Sequence, residues 1–150
     1  MSTASAFKAA LVTACESAYT SPTVVTYGHH GEQSSAELVM VRGVNVEVEF
    51  GPMSTNRRRE ETLTATVEIY VGSGDTDQQA VTERAYALLD TLDAYLQDAG
   101  VPSSTQTTLG GVVRHAWLSG HDLEETDEPD DLARGRFARI TATVTARARY

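Results

Sequence analysis

The groups in this chain able to bind a metal or attack a substrate are four histidines, one cysteine and a surplus of acids. His29 and His30 adjoin Glu32, and His115 precedes His121 and Asp122 by a few residues. Imidazole and carboxylate are good zinc ligands, but they must converge tetrahedrally. Neither spacing is that of the helical metalloprotease motif. The simpler expectation is loop histidines at 29 and 30, a strand histidine at 115 and a turn histidine at 121. Cys15 lies on the apolar side of an amphipathic segment, whereas a nucleophilic thiol needs exposure and a positioned base, so packing is its expected role. No serine sits in a nucleophile elbow, and Gly72-Ser73-Gly74 lacks the lysine of a phosphate-binding loop. Glu47, Glu49, Glu60, Glu61 and Glu68 offer carboxylates. Acid–base catalysis needs two with separated proton affinities in one cleft; their alternation along strands describes a solvated sheet face or an interface rim. No catalytic residue, metal site or cofactor is expected.

The formal net charge of −9 disfavours a general nucleic-acid binder, which needs a basic face. It leaves room for a protein that lets DNA pass without gripping it. Lys8 is the sole lysine against eleven arginines. Arg57-Arg58-Arg59 runs directly into Glu60-Glu61, a mixed patch with three open readings: solvated loop, protein interface or phosphate contact. Arg134, Arg136, Arg139, Arg147 and Arg149 follow an acidic stretch at residues 121–131, a separation suited to head-to-tail contact between copies or to an intrachain fold-back. One cysteine excludes an intrachain disulfide. The start does not read as a signal peptide and no apolar run is long enough for a membrane span, so a soluble protein made in a cytoplasm is expected.

The elements that would position these groups follow from periodicity. Residues 3–19 read as a helix with Phe7, Ala10, Leu11, Ala14, Cys15 and Ala18 on one face. Thr23–Tyr27 reads as a short strand, and Gly28–Ser34 as a turn or loop. Glu37–Phe50 reads as a strand region with Gly43 at a bulge or bend. Residues 51–61 read as a charged loop or arm. Thr62–Val71 alternates Leu63, Ala65, Val67, Ile69 and Val71 against threonines, Glu68 and Tyr70. Thr76 with Gln79 reads as a capping box opening a helix with Val81, Ala85, Leu88, Leu89, Leu92 and Leu96 at helical spacing. Gly100 and Pro102 read as its end. A strand is expected over Thr107–Leu118, with Trp117 as an anchor, then a solvated acidic loop over 121–131 and a last alternating strand from about Arg136. The sum is a single α+β domain over residues 1–150, a mainly antiparallel sheet packed against two helices.

Arg59-Glu60-Glu61-Thr62-Leu63-Thr64-Ala65-Thr66-Val67-Glu68-Ile69 and Ala80-Val81-Thr82-Glu83-Arg84-Ala85, set in this order of elements, resemble the tail terminator, or tail-completion, proteins of long-tailed bacteriophages with non-contractile tails. The resemblance spans most of the chain. It implies a tail-terminator-like fold and a homohexameric ring at the head-proximal end of the tail tube. That ring stops tube growth, presents a docking surface to the head-completion or connector protein, and passes DNA through its channel without specific binding. It implies no catalytic site and no membrane, and places the protein at the head–tail junction of a virion after synthesis in the host cytoplasm. Alternatives are another neck or head-closure component, a tail-tube subunit, or a small hydrolase built on His29, His30, Glu32, His115 or Asp122. Closing a ring buries sheet surface that otherwise invites uncontrolled pairing. The residues expected there are Arg57, Arg58, Arg59, Glu60 and Glu61 as register-setting charges. Val46, Val48, Val144 and Ala146 are expected as core or intersubunit-sheet residues.

Overall fold

Strict alternation in two long strands organises the molecule. The computed structural model describes residues 3–29, 36–50, 59–74, 76–97, 106–125 and 135–149. The elements run α1 (Ala4–Ala18), β1 (Val24–Tyr27), β2 (Glu37–Phe50), β3 (Arg59–Ser73), α2 (Gln78–Gln97), β4 (His115–Glu125) and β5 (Arg136–Arg149). They form one five-stranded sheet in the order β1-β2-β3-β5-β4. The β1–β2 pair is parallel and every other pair antiparallel. The fold is therefore α+β, with a mixed, mainly antiparallel sheet packed against two helices.

In β3 every second residue from Glu61 to Val71 is buried, and in β5 Ala138, Ile140, Ala142, Val144, Ala146 and Ala148 are buried likewise. Antiparallel register aligns the two rows, Ile69 opposite Ile140 and Leu63 opposite Ala146. Both helices pack on this one face. The alanines of β5 leave room for α2, whose Val81, Ala85, Leu88, Leu89, Leu92 and Leu96 are buried against it. Removing such leucines from water contributes about 1.5–3 kcal/mol each. The opposite face carries Thr62, Thr64, Thr66, Thr141, Thr143 and Thr145, all half-buried.

A bulge between Val41 and Val44 keeps β2 in step. Val39 and Val41 face the core, so in a regular strand the next inward positions would be odd-numbered and polar. One extra residue at Arg42-Gly43 moves Val44, Val46 and Val48 to the core side instead. A second irregularity, between Leu118 and Gly120, does the same in β4 and brings His121 and Leu123 inward.

Side-chain hydrogen bonds tie the helices down, among them Gln78 Nε2 donating to the Phe137 carbonyl at 2.9 Å and Thr82 donating to Glu125 at 3.0 Å. The Tyr19 hydroxyl, at the buried end of α1, donates to the Leu88 carbonyl of α2 at 2.6 Å; burial raises its pKa. Arg84 of α2 forks onto Glu37 at the start of β2, at 2.6 and 3.1 Å, while Thr23 donates to the same carboxylate at 2.7 Å. At the other end Glu61 is 1 % exposed and accepts from the Thr3 backbone N–H at 3.1 Å and hydroxyl at 2.7 Å. A carboxylate there satisfies an orphan donor at the start of α1 and complements the positive end of the helix dipole.

Several expectations change. The cap of α2 is Asp77, which accepts from the Ala80 N–H at 3.1 Å, while Gln79 bonds to Glu83, so Thr76 and Gln79 form no capping box. The strand expected over Thr107–Leu118 begins only at His115; residues 106–114 are turns, with left-handed backbone at Leu109, Gly110 and Gly111. The acidic stretch is not all loop. Residues 121–125 complete β4 against β5, where an edge position lets alternating acids reach water. Arg59, Glu60 and Glu61 belong to β3 rather than to an arm. Residues 30–35, 51–58, 98–105 and 126–134 lie outside the described residues. With them go His30, Glu32, Arg57, Arg58, Gly100, Pro102 and the rest of the acidic stretch.

Two measurements check these ties. Glu61→Ala should lower unfolding stability by about 1–3 kcal/mol in urea titrations, the scale for hydrogen bonds to a charged group. Glu37 has its pKa lowered, chiefly by the Arg84 hydrogen bond and then by Thr23, against an opposing effect of burial. A lowered carboxylate pKa adds stability above the unfolded value, about 4.3, that is lost as pH falls through the folded value. The stability gap between wild type and Glu37→Gln should therefore be full at pH 6 and shrink below about pH 4.

Candidate functional site

The register of β5 with β4 builds a site that spacing alone does not reveal. His115 stands opposite Arg147 and Trp117 opposite Thr145, all on the face away from the helices. With Arg114 these residues line an open pocket of about 560 Å³: Arg114, His115, Trp117 and Arg147. The His115 and Trp117 rings stack with centroids 5.2 Å apart and planes 27° apart. Thr107 Oγ1 lies 3.2 Å from His115 Nδ1, within hydrogen-bond distance. The Arg114 backbone N–H donates to the Arg147 carbonyl at 2.8 Å, holding the two arginines side by side. Arg114 reaches Glu60 at 3.6 Å across exposed surface, a pair of small energetic weight in water. Arg147 makes no ion pair with any described acid. Two guanidiniums beside an indole and an imidazole suit a carboxylate or another planar anion, through forked hydrogen bonds and stacking.

The opposite edge of the same sheet is acidic. β1 pairs with β2 only over Leu38–Val41, so beyond the bulge β2 has no second strand neighbour among the described residues. Asn45, Glu47 and Glu49 are exposed there on the outer side. Val46 is half-buried and Val48 is 37 % exposed on the inner side. Glu47 and Glu49 make no ion pair with a described residue.

The histidines do not converge. His115 lies on the outer face; His121 is turned to the inner side and meets the Tyr86 ring edge-on at 5.7 Å. Asp122 faces outward opposite Thr141, and His29 is exposed beyond β1. Among the described residues no three His, Cys, Asp or Glu side chains are grouped to hold a metal. Cys15 is fully buried, and burial, with a smaller push from Glu16, raises its thiol pKa to about 12.

The candidate interface residues separate into two sets. Val144 and Ala146 are fully buried in the core of a single chain, and Glu61 is buried against Thr3. Glu61, expected among the register-setting charges, is turned inward by its parity with Leu63. Val46 and Val48 lie on the β2 edge, and Arg59 and Glu60 are half-buried at the start of β3. The basic pocket was not anticipated. Its sequence signal was Arg114-His115 with Trp117 two residues on, and Arg147 on the polar side of the last strand; the missing piece was the β4–β5 pairing.

The thiol offers a direct check: in native protein at pH 8 Cys15 should stay unreactive toward a disulfide reagent and become titratable only in denaturant. No protein-family model matches the chain, and the search of curated proteins returned no match.

Proposed function

We propose that this chain is a structural, non-enzymatic subunit of the tail-terminator type. In this reading it forms a ring, a homohexamer, at the head-proximal end of a phage tail tube, stops tube growth and docks the head-completion protein. The observation that carries the reading is the outer stretch of β2, from Val44 to Glu49, which runs past the reach of β1 and alternates valines with exposed Asn45, Glu47 and Glu49. This stretch pairs with β3 on one side and has no strand on its other edge among the described residues, and an open strand edge invites uncontrolled pairing. A closed ring of identical contacts removes it in a finite assembly. The sheet face away from the helices supports the same reading: its half-buried threonines on β3 and β5 form a surface better suited to contact with other subunits than to enclosing a substrate.

The charge pattern agrees with passage of DNA. Asp122, Glu124 and Glu125 are exposed along β4, and carboxylates facing a channel repel phosphates and prevent retention. On this reading the finished protein resides at the head–tail junction. Its partners are its own copies, the tail-tube protein and the head-completion protein.

The test is addition of the purified protein to polymerising tail tubes. Shortened tubes with a ring of extra density at one end in electron micrographs are expected. Absence of end binding rejects the reading, and growth of long tubes from the protein alone reassigns it as a tube subunit.

A further inference from the structure

We propose that the pocket lined by Arg114, His115, Trp117 and Arg147 receives Glu47 and Glu49 of a second copy of the chain. The inference rests on the ring-subunit reading and supplies its subunit contact. Glu47 pairs with Thr62, Thr62 with Arg147, and Arg147 with His115. One row across the sheet thus begins with an acid at the β2 edge and ends with the basic pocket beside the β4 edge. Within a chain, Thr62 separates Glu47 from Arg147 by two strand spacings, about 10 Å. Arg147 lines the pocket instead. A neighbour displaced sideways by one sheet width brings its Glu47 to His115 and Arg147 at the same level. The contact joins two different patches, so it repeats head to tail and closes into a ring when the rotation per subunit divides a full turn.

Side chains make this contact. At Ala116 the outward backbone groups of β4 are already taken: its N–H donates to the Thr107 carbonyl at 2.8 Å, and its carbonyl accepts from the Thr107 hydroxyl at 3.3 Å. Strand addition is therefore blocked beside the pocket, while the guanidiniums remain accessible. A carboxylate from a protein fits better than the phosphates of a nucleic acid. Asp122, Glu124 and Glu125 extend along the same strand from the pocket, so a polyanion following β4 meets repulsion, whereas the β2 edge brings two acids to Arg147 and to Arg114, which Glu60 only partly neutralises across exposed surface.

The experiment compares wild type with Arg147→Glu, with Glu47→Arg/Glu49→Arg, and with all three substitutions combined, by sedimentation velocity at low and high salt. All these sites are exposed, and melting curves confirm that each variant is folded. Trp117, the chain's only tryptophan, reports the same event through its fluorescence. Wild type should self-associate with a shift in Trp117 emission, and high salt should weaken it. Each charge reversal should weaken association about tenfold or more, as for close charge pairs across interfaces. The combined variant should recover most of the loss. Unchanged association of Arg147→Glu, or no recovery in the combined variant, overturns the proposal. So does Arg147-dependent retention of a single-stranded oligonucleotide with unaltered self-association. Rings and tube capping that persist in Arg147→Glu defeat the pocket assignment and leave the ring reading standing; a wild type that neither associates nor caps defeats both.

Discussion

One apolar sheet face, drawn from alternate residues of β3 and β5, has to be covered, and the rest of the molecule follows from how that is done. Leu63, Val67, Ile69, Ile140 and Val144 are sealed by α1 and α2 on a single side. Because side chains in a strand alternate with a period of two, a slip of one residue would expose the whole row. The bulges in β2 and β4 are the local cost of keeping that parity through Arg42-Gly43 and through Ser119. Both helices lie on one face, and on the other the central strands carry half-buried threonines, which pair across strands and tolerate water.

Charge is distributed around this arrangement by the same geometry. Where an acid falls on the inward row it must be satisfied, and Glu61 is held at the start of α1 by Thr3. Where an acid sits at the seam between α2 and β2 it is paired: Glu37 with Arg84. Exposed acids also line the strand edges: Glu47 and Glu49 on β2, and on β4 Asp122, Glu124, which pairs with Arg139, and Glu125, which accepts from Thr82. Arg114 and Arg147 meet beside His115 and Trp117 where β4 and β5 pair. A chain of net charge −9 therefore carries a compact basic site with aromatic walls at one sheet edge and an acidic strand at the other. In the ring proposed above, such polarity would favour ordered association of copies over adhesion to polyanions, and salt would tune it.

The pocket shows how little of a site a linear reading can hold. Arg114, His115 and Trp117 are neighbours in the chain, and their spacing places His115 and Trp117 on one side of a strand. Arg147 joins them from a different strand, so the site exists only once β4 and β5 pair in this register. The acidic stretch hid the register. Asp122, Glu124 and Glu125 look like a solvated loop in one dimension, yet an edge strand gives alternate acids the same access to water.

What the amino-acid order determined by itself is the set of strongly periodic elements: α1, α2, β3, β5 and the bulge near Gly43. In these, local pattern and tertiary burial demand the same thing, so each residue's environment can be read from its neighbours in the chain. Glu61 was legible in principle, since it shares parity with Leu63, but a charged residue reads as surface until a helix start is known to lie above it. Tertiary structure alone decided the extent of β4, the choice of Asp77 over Thr76 as cap, the parallel placement of β1, and the meeting of Arg147 with His115 and Trp117. Each of these depends on which distant backbone supplies the hydrogen-bond partner, and residue spacing along one strand carries no information about that.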